Sequence, residues 1–201
     1  GPQIPKNGLT ANKEIPAEAM AGLKKGKMLF LKGEGDEALV ALDRAISSFP
    51  KLPQAYYYRG LVHTKKGQYD KEISDYNKAL EIDPRDPDAY VRRGGVYVNK
   101  GQPDRAILDF NKALEINPRF AEAYNNRGLA YSDKGQLDQA ISDYTKALEM
   151  NPRHDKAYNN RGIAYFHKRE YEKSWKDVEK ARSLGYQIDP EFLDNLRKAS
   201  G

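Results

Sequence analysis

Apolar and small residues return along this chain with two superposed periods. Over short stretches they follow the i, i+3, i+4, i+7 stripe of an amphipathic helix, and the stripes themselves recur every 34 residues. In residues 121–154, Tyr124, Arg127, Gly128 and Tyr131 mark a first helix, and Ala140, Ile141, Tyr144, Ala147 and Leu148 mark a second. Gly135, between them, suits the residue just past a helix end, because glycine enters the left-handed region without a Cβ clash. Asp138 is expected to cap the second helix from its first turn, where free N–H groups favour a carboxylate. Pro152 is expected to end it, since proline has no N–H to donate. Asp86-Pro87-Asp88 reads as an N-cap with proline at the first helical position.

The 34-residue step holds for four kinds of position at once: Gly26, Gly60, Gly94, Gly128 and Gly162; Ala45, Ala79, Ala113, Ala147 and Ala181; Tyr56, Tyr90, Tyr124 and Tyr158; Pro50, Pro84, Pro118 and Pro152. Five helix–turn–helix units follow, at 19–52, 53–86, 87–120, 121–154 and 155–188. The small residues let helices approach, and tyrosines at the fourth, eleventh and twenty-fourth positions fill the space between them. One helical pair cannot bury both its faces, so stacked neighbours must complete the core. Residues 1–18, with Pro2, Pro5, Gly8 and Pro16, read as a flexible leader. Residues 189–201 read as a capping helix and tail that cover the last unit with Phe192, Leu193 and Leu196. The expected fold is an all-α solenoid of five repeats plus this cap.

Composition narrows the function. The chain has 201 residues, 39% apolar and 31% charged, with no run near the roughly 18 apolar residues of a membrane helix. This fits a soluble protein. Gly1-Pro2 reads as the remnant of a protease site, which is compatible with a targeting segment ahead of it. No cysteine is present, so disulfides and thiolate metal sites are excluded. Cytoplasm is favoured over periplasm, although lack of cysteine fits both. The net charge of +5 comes from 34 basic residues interspersed with 29 acidic ones. Without a basic stripe, nucleic-acid binding is disfavoured.

The run Ala123-Tyr124-Asn125-Asn126-Arg127-Gly128-Leu129-Ala130-Tyr131, followed by Ala140, Ala147 and Pro152, resembles the tetratricopeptide repeat, and the likeness extends over 19–188. The resemblance implies a right-handed superhelix whose concave groove is lined mainly by the first helix of each unit. It also implies a non-enzymatic scaffold that holds another protein or peptide, with no cofactor. Departures from the pattern are Tyr or Gly22 in place of the fourth-position tryptophan, Glu72 and Ser174 in place of the twentieth-position alanine, and Arg169 in place of the turn glycine.

One departure is itself periodic. The seventh position is Arg59, Arg93, Arg127 and Arg161, and the twenty-third is Asp75, Asp109, Asp143 and Asp177; the first unit has Lys25 and Ala41 and lacks both partners together. These positions lie at one level of an antiparallel pair, so an Arg–Asp bridge is expected within each of units two to five. It would set hairpin geometry rather than form a catalytic row.

No phosphate-binding loop, dinucleotide turn, zinc helix or calcium loop occurs. His63, His154 and His167 stand at unrelated positions, and His63 replaces a tyrosine of the core or its boundary. The groove should instead be built from the second, fifth, sixth, ninth, twelfth and thirteenth positions. Its N-terminal half is expected to be aromatic and apolar, with Tyr57, Tyr58 and the cations Lys24, Lys27 and Lys65. Arg92 lies between the halves. The C-terminal half offers Asn125, Asn126, Lys156, Asn159 and Asn160, and asparagine carries both donors and an acceptor for a peptide backbone. The two-carboxylate clamp of chaperone-type relatives is incomplete: Asn126 and Lys156 fit, but Val91, Gly95 and Asn160 do not. Peptide or partner-helix binding is the leading expectation. Self-assembly through an apolar first-unit face of Met20, Leu23 and Phe30 is the alternative.

Overall fold

The computed structural model describes residues 14–201, so most of the expected leader lies outside the described residues. Eleven helices and no strands occur among the described residues. They are α1 (Ala17–Lys32), α2 (Gly35–Ser48), α3 (Pro53–Lys65), α4 (Tyr69–Ile82), α5 (Pro87–Asn99) and α6 (Pro103–Ile116). They continue with α7 (Ala121–Asp133), α8 (Leu137–Met150), α9 (Asp155–His167), α10 (Tyr171–Ser183) and α11 (Pro190–Ser200). Odd and even helices pair (α1 with α2 through α9 with α10), each even helix packs on the next odd one, and α1·α3, α5·α7 and α7·α9 touch across the inner wall. Helix α1 starts two residues before the expected first unit, because Pro16 supplies its N-cap and Glu18 its first-turn carboxylate.

Within each pair the eighth-position glycine accepts a bulky neighbour. A Cβ on Gly60, Gly94 or Gly128 would lie 2.9, 2.6 or 2.7 Å from the ring of Tyr76, Phe110 or Tyr144 respectively. The rings are themselves almost wholly buried. The close approach therefore requires glycine on one helix and a large side chain opposite, which is interior close packing in its simplest form. Alanines 79, 113, 147 and 181, all buried, seat the following unit.

Four of the turns within the pairs pass through glycine at positive φ: Gly33, Gly67, Gly101 and Gly135. The fifth passes through Arg169 at φ 62°, with the same hydrogen-bond pattern closed by Glu170 N–H donating to the Tyr165 carbonyl at 2.9 Å. The Asp86 side chain accepts from Ala89 N–H at 3.1 Å, as its N-cap place demands. Asp138 departs from expectation. It makes no cap bond at the start of α8, whose N-cap is Gln136; its carboxylate pairs instead with Lys168 of the next unit. A residue in the second helical position points its side chain away from the free N–H groups, and Lys168 is there to receive it.

At the C-terminus, Leu196 of α11 is fully buried against Val178, Ala181 and Ile188. Phe192 meets Phe166 edge-on with ring centroids 5.4 Å apart. Phe166, at the twelfth position of the fifth unit and so among the expected groove positions, is drawn into this contact.

Candidate functional site

All four Arg–Asp bridges form. Arg59–Asp75 and Arg93–Asp109 close at 2.6 Å, and Arg127–Asp143 and Arg161–Asp177 close at 2.7 Å. Each is bidentate, with Nε and Nη2 donating to the two carboxylate oxygens. The remaining Nη1 reaches sixteen residues back into the preceding unit: Arg59 to Asp43, Arg93 to Asn77, Arg127 to Asn111 and Arg161 to Thr145. Each guanidinium also lies 5.4–5.8 Å from the ring centroid of the tyrosine three residues before it. The bond to Asp75 holds the Arg59 pKa above its ordinary value. One arginine therefore joins three helices, and these groups are committed to the fold.

A second ladder runs between units. Lys66, Lys100, Lys134 and Lys168 pair with Asp36, Asp70, Asp104 and Asp138, always thirty residues back. Both members keep the 34-residue step, so the signal was in the sequence; what concealed it was that the partners belong to different units.

The inner wall divides into three parts. Toward the N-terminus, the expected cations stack on aromatic faces. Lys27 Nζ lies 5.4 Å from the Tyr58 centroid, and Lys65 Nζ lies 4.4 Å from that of Phe30, while Phe30 meets Tyr58 edge-on. Lys24 is exposed. Tyr57 is half-buried and packs on Tyr76; burial pushes its hydroxyl pKa up. Leu23 and Phe30 pack against the N-terminal core, so of the apolar first-unit face only Met20 is exposed.

In the centre, a cavity of about 290 Å³ opens between α3, α5 and α7. Arg92 and Asn126 line it together with Leu61, Gly95, Glu122 and Leu129. Arg92 pairs with Glu122 at 3.7 Å. The sequence offered these positions as groove-facing, but it did not show that Glu72 of α4 forms part of the lining. Glu72 is 2% exposed, and Thr64 Oγ1 donates to its Oε1 at 2.5 Å.

Toward the C-terminus the asparagines differ from one another. Asn125 and Asn159 are buried, whereas Asn126 and Asn160 are half-buried and Lys156 is exposed. Asn160 Nδ2 donates to Asn125 Oδ1 at 3.1 Å, and Asn125 Nδ2 donates to Asn126 Oδ1 at 3.2 Å. Buried Asn125 thus links the two sixth-position asparagines, Asn160 and Asn126, across neighbouring units, and Asn126 also lines the central cavity. His63 is buried, with Nδ1 at 2.9 Å from Gln68 Oε1. Among the described residues no group of three His, Asp or Glu is arranged to hold a metal ion, and no helix is long and apolar enough to cross a membrane.

Family models described as "TPR repeat" match residues 26–67, 60–101 and 94–135, and models described as "Tetratricopeptide repeat" match 121–154 and 143–176. The chain belongs to the tetratricopeptide repeat family. Its all-helical array is the family's right-handed superhelical solenoid, closed here by α11. Among solved structures, YrrB, described as a TPR protein with an unusual peptide-binding site, is 28% identical; the match covers 90% of this chain and 92% of that one with TM-score 0.72. MamA from Desulfovibrio magneticus RS-1 is 23% identical, with 85% and 96% covered and TM-score 0.77. PilF of Pseudomonas aeruginosa is 20% identical, with 85% and 78% covered and TM-score 0.78. Comparison with curated protein sequences gives no match. Tetratricopeptide repeat proteins bind other proteins or peptides, and the repeat is generally a non-catalytic interaction unit, so this chain is a protein-interaction scaffold.

Proposed function

We propose that the concave groove binds an extended peptide or partner helix across α3, α5, α7 and α9. The observation that carries this reading is the central cavity: Leu61, Leu129 and Val98 give it apolar walls, and Arg92, Asn126 and Glu122 set polar groups around them. A few placed polar groups on an apolar concave surface are what a ligand site needs. The rigid inner wall keeps the ordering cost of binding on the partner's side. YrrB, similar over most of both chains, is described as having an unusual peptide-binding site, which supports peptide binding by this chain. Lys156 and Asn160 extend the polar side of the groove, and Lys24, Lys27 and Lys65 make its other end cationic.

The test is selection of peptides from a displayed random library against the intact chain, followed by affinity measurement on a variant carrying Asn126→Ala and Leu129→Arg. Both residues are on the inner wall and neither is fully buried, so the variant should still fold cooperatively, with only a modest fall in melting temperature from loss of the Asn125–Asn126 bond. Affinity should fall by about tenfold or more, as loss of one hydrogen bond and one apolar contact implies. Unchanged affinity would remove the groove as the site.

A second reading, association of two copies through the first unit, is favoured by the exposure of Met20, Met28, Leu31 and Val40 on α1 and α2. Sedimentation of the chain across a concentration series decides it: a monomer throughout rules it out.

A further inference from the structure

At the ninth position units two, four and five carry Leu61, Leu129 and Ile163, whereas unit three has Gly95. A Cβ on Gly95 would meet nothing within 4 Å, so the missing side chain leaves a notch in the inner wall. Glu72 lines that notch from the position where units three and four place Ala106 and Ala140. Its Oε1 accepts from Thr64, but its buried Oε2 has no hydrogen-bond partner among the described residues. Burial pushes its pKa up. Arg92, the cation lining the same cavity, pairs with Glu122 at 3.7 Å, and the Tyr76 hydroxyl on the same helix as Glu72 is likewise buried without a partner among the described residues. The Glu72 carboxyl group is therefore incompletely hydrogen-bonded, in a cavity where Leu61, Val91, Val98 and Leu129 supply apolar wall.

We infer that the Gly95 notch is a subsite for a lysine side chain of a partner lying in the groove, its ammonium bound to Glu72 and its stem against Leu61, Val98 and Leu129. The inference rests on the groove reading above in so far as the lysine belongs to a bound partner. Lysine fits better than arginine. A guanidinium seeks both oxygens of a carboxylate, and Thr64 already occupies one; an ammonium is a compact charge that a single oxygen can receive. The four-carbon stem suits the apolar walls, because lysine commonly lays its methylenes on such surface while its charge finds a polar partner.

The experiment is an NMR titration of the isotope-labelled full chain with N-acetyl-lysine N-methylamide, beside the norleucine analogue, which has the same stem without the charge. The lysine derivative should give saturable shifts at the Gly95, Val96 and Leu129 amides and bind about tenfold more tightly than norleucine. Glu72→Gln should erase that difference, and Gly95→Leu, which restores the leucine of units two and four, should erase binding of both. Equal affinity for the two compounds, absence of saturable shifts, or a lysine preference that survives either substitution would overturn the inference. The groove reading is judged separately by the selected peptides. Selected peptides that lose affinity in the groove variant would keep that reading alive even where the lysine titration fails. Peptides insensitive to the variant would sink it whatever the titration shows.

Discussion

Arg169 holds φ at 62° where the four preceding turns have glycine. A side chain in the left-handed region costs about 1 kcal/mol, and Arg169 is exposed, so little contact is lost on removing it. Arg169→Gly should therefore stabilise the chain by up to about 1 kcal/mol in urea denaturation. Glu72 is the second residue held at a cost, because its carboxyl group is buried with one oxygen unpartnered. Its raised folded-state pKa means that the folded protein holds the proton more tightly than the unfolded chain does. Stability is thus unaffected by ionisation below the ordinary value of 4.5, falls as pH rises through the raised folded-state pKa, and carries the full penalty above it. The groups that face Glu72 are Thr64 from α3, Tyr76 from α4 and Arg92 from α5. Glu72→Gln should raise stability by roughly 1 kcal/mol at pH 7, and the gain should shrink toward pH 4; a pH-independent gain would argue against ionisation as its cause. The sequence marked both residues as departures from the repeat. It could not show that Glu72 borders the groove, because that depends on the hole left by Gly95 one unit further on.

At the scale of helices, two kinds of glycine stand side by side in α5. Gly94 faces the Phe110 ring and Gly95 faces open space. Gly94→Ala should destabilise by about 1–3 kcal/mol through overpacking, while Gly95→Ala should stabilise by about 0.5–1 kcal/mol through helix propensity alone. Thermal melts of the two variants check both signs. The arginine struts belong to this scale too. Removing Arg127 would leave Asp143, which is 4% exposed, without its cation. Arg127→Met should then cost about 3 kcal/mol, whereas Asp43→Ala should cost less than about 1 kcal/mol, since that carboxylate is 58% exposed. The Arg–Asp half of the strut was legible because both positions recur within one unit. The reach into the preceding unit was not, because its acceptor changes from Asp to Asn to Thr along the chain. A geometric role had no residue type to announce it.

For the whole molecule, stability is a sum of unit and interface contributions, and the ends are where it is weakest. Helix α11 covers Val178, Ala181 and Ile188, so truncation after residue 189 should loosen α9 and α10 before the rest. Hydrogen exchange should show their amides losing protection while α5 to α8 keep theirs. Architecture at this scale was the most legible part, since a strict period forces neighbouring units into equivalent contacts. The division of the groove into stacked cations, central cavity and asparagine chain was less so. It arises where unlike side chains from three successive units meet. The inter-unit struts carry one more consequence. Each reaches backward by sixteen or thirty residues, within one period of 34. A tandem duplication of any interior unit would therefore arrive with every acceptor already in place for its own arginine and lysine, and for those of the unit after it. Such an array can lengthen by copying whole cassettes of its gene, gaining groove surface without having to invent a single new interface.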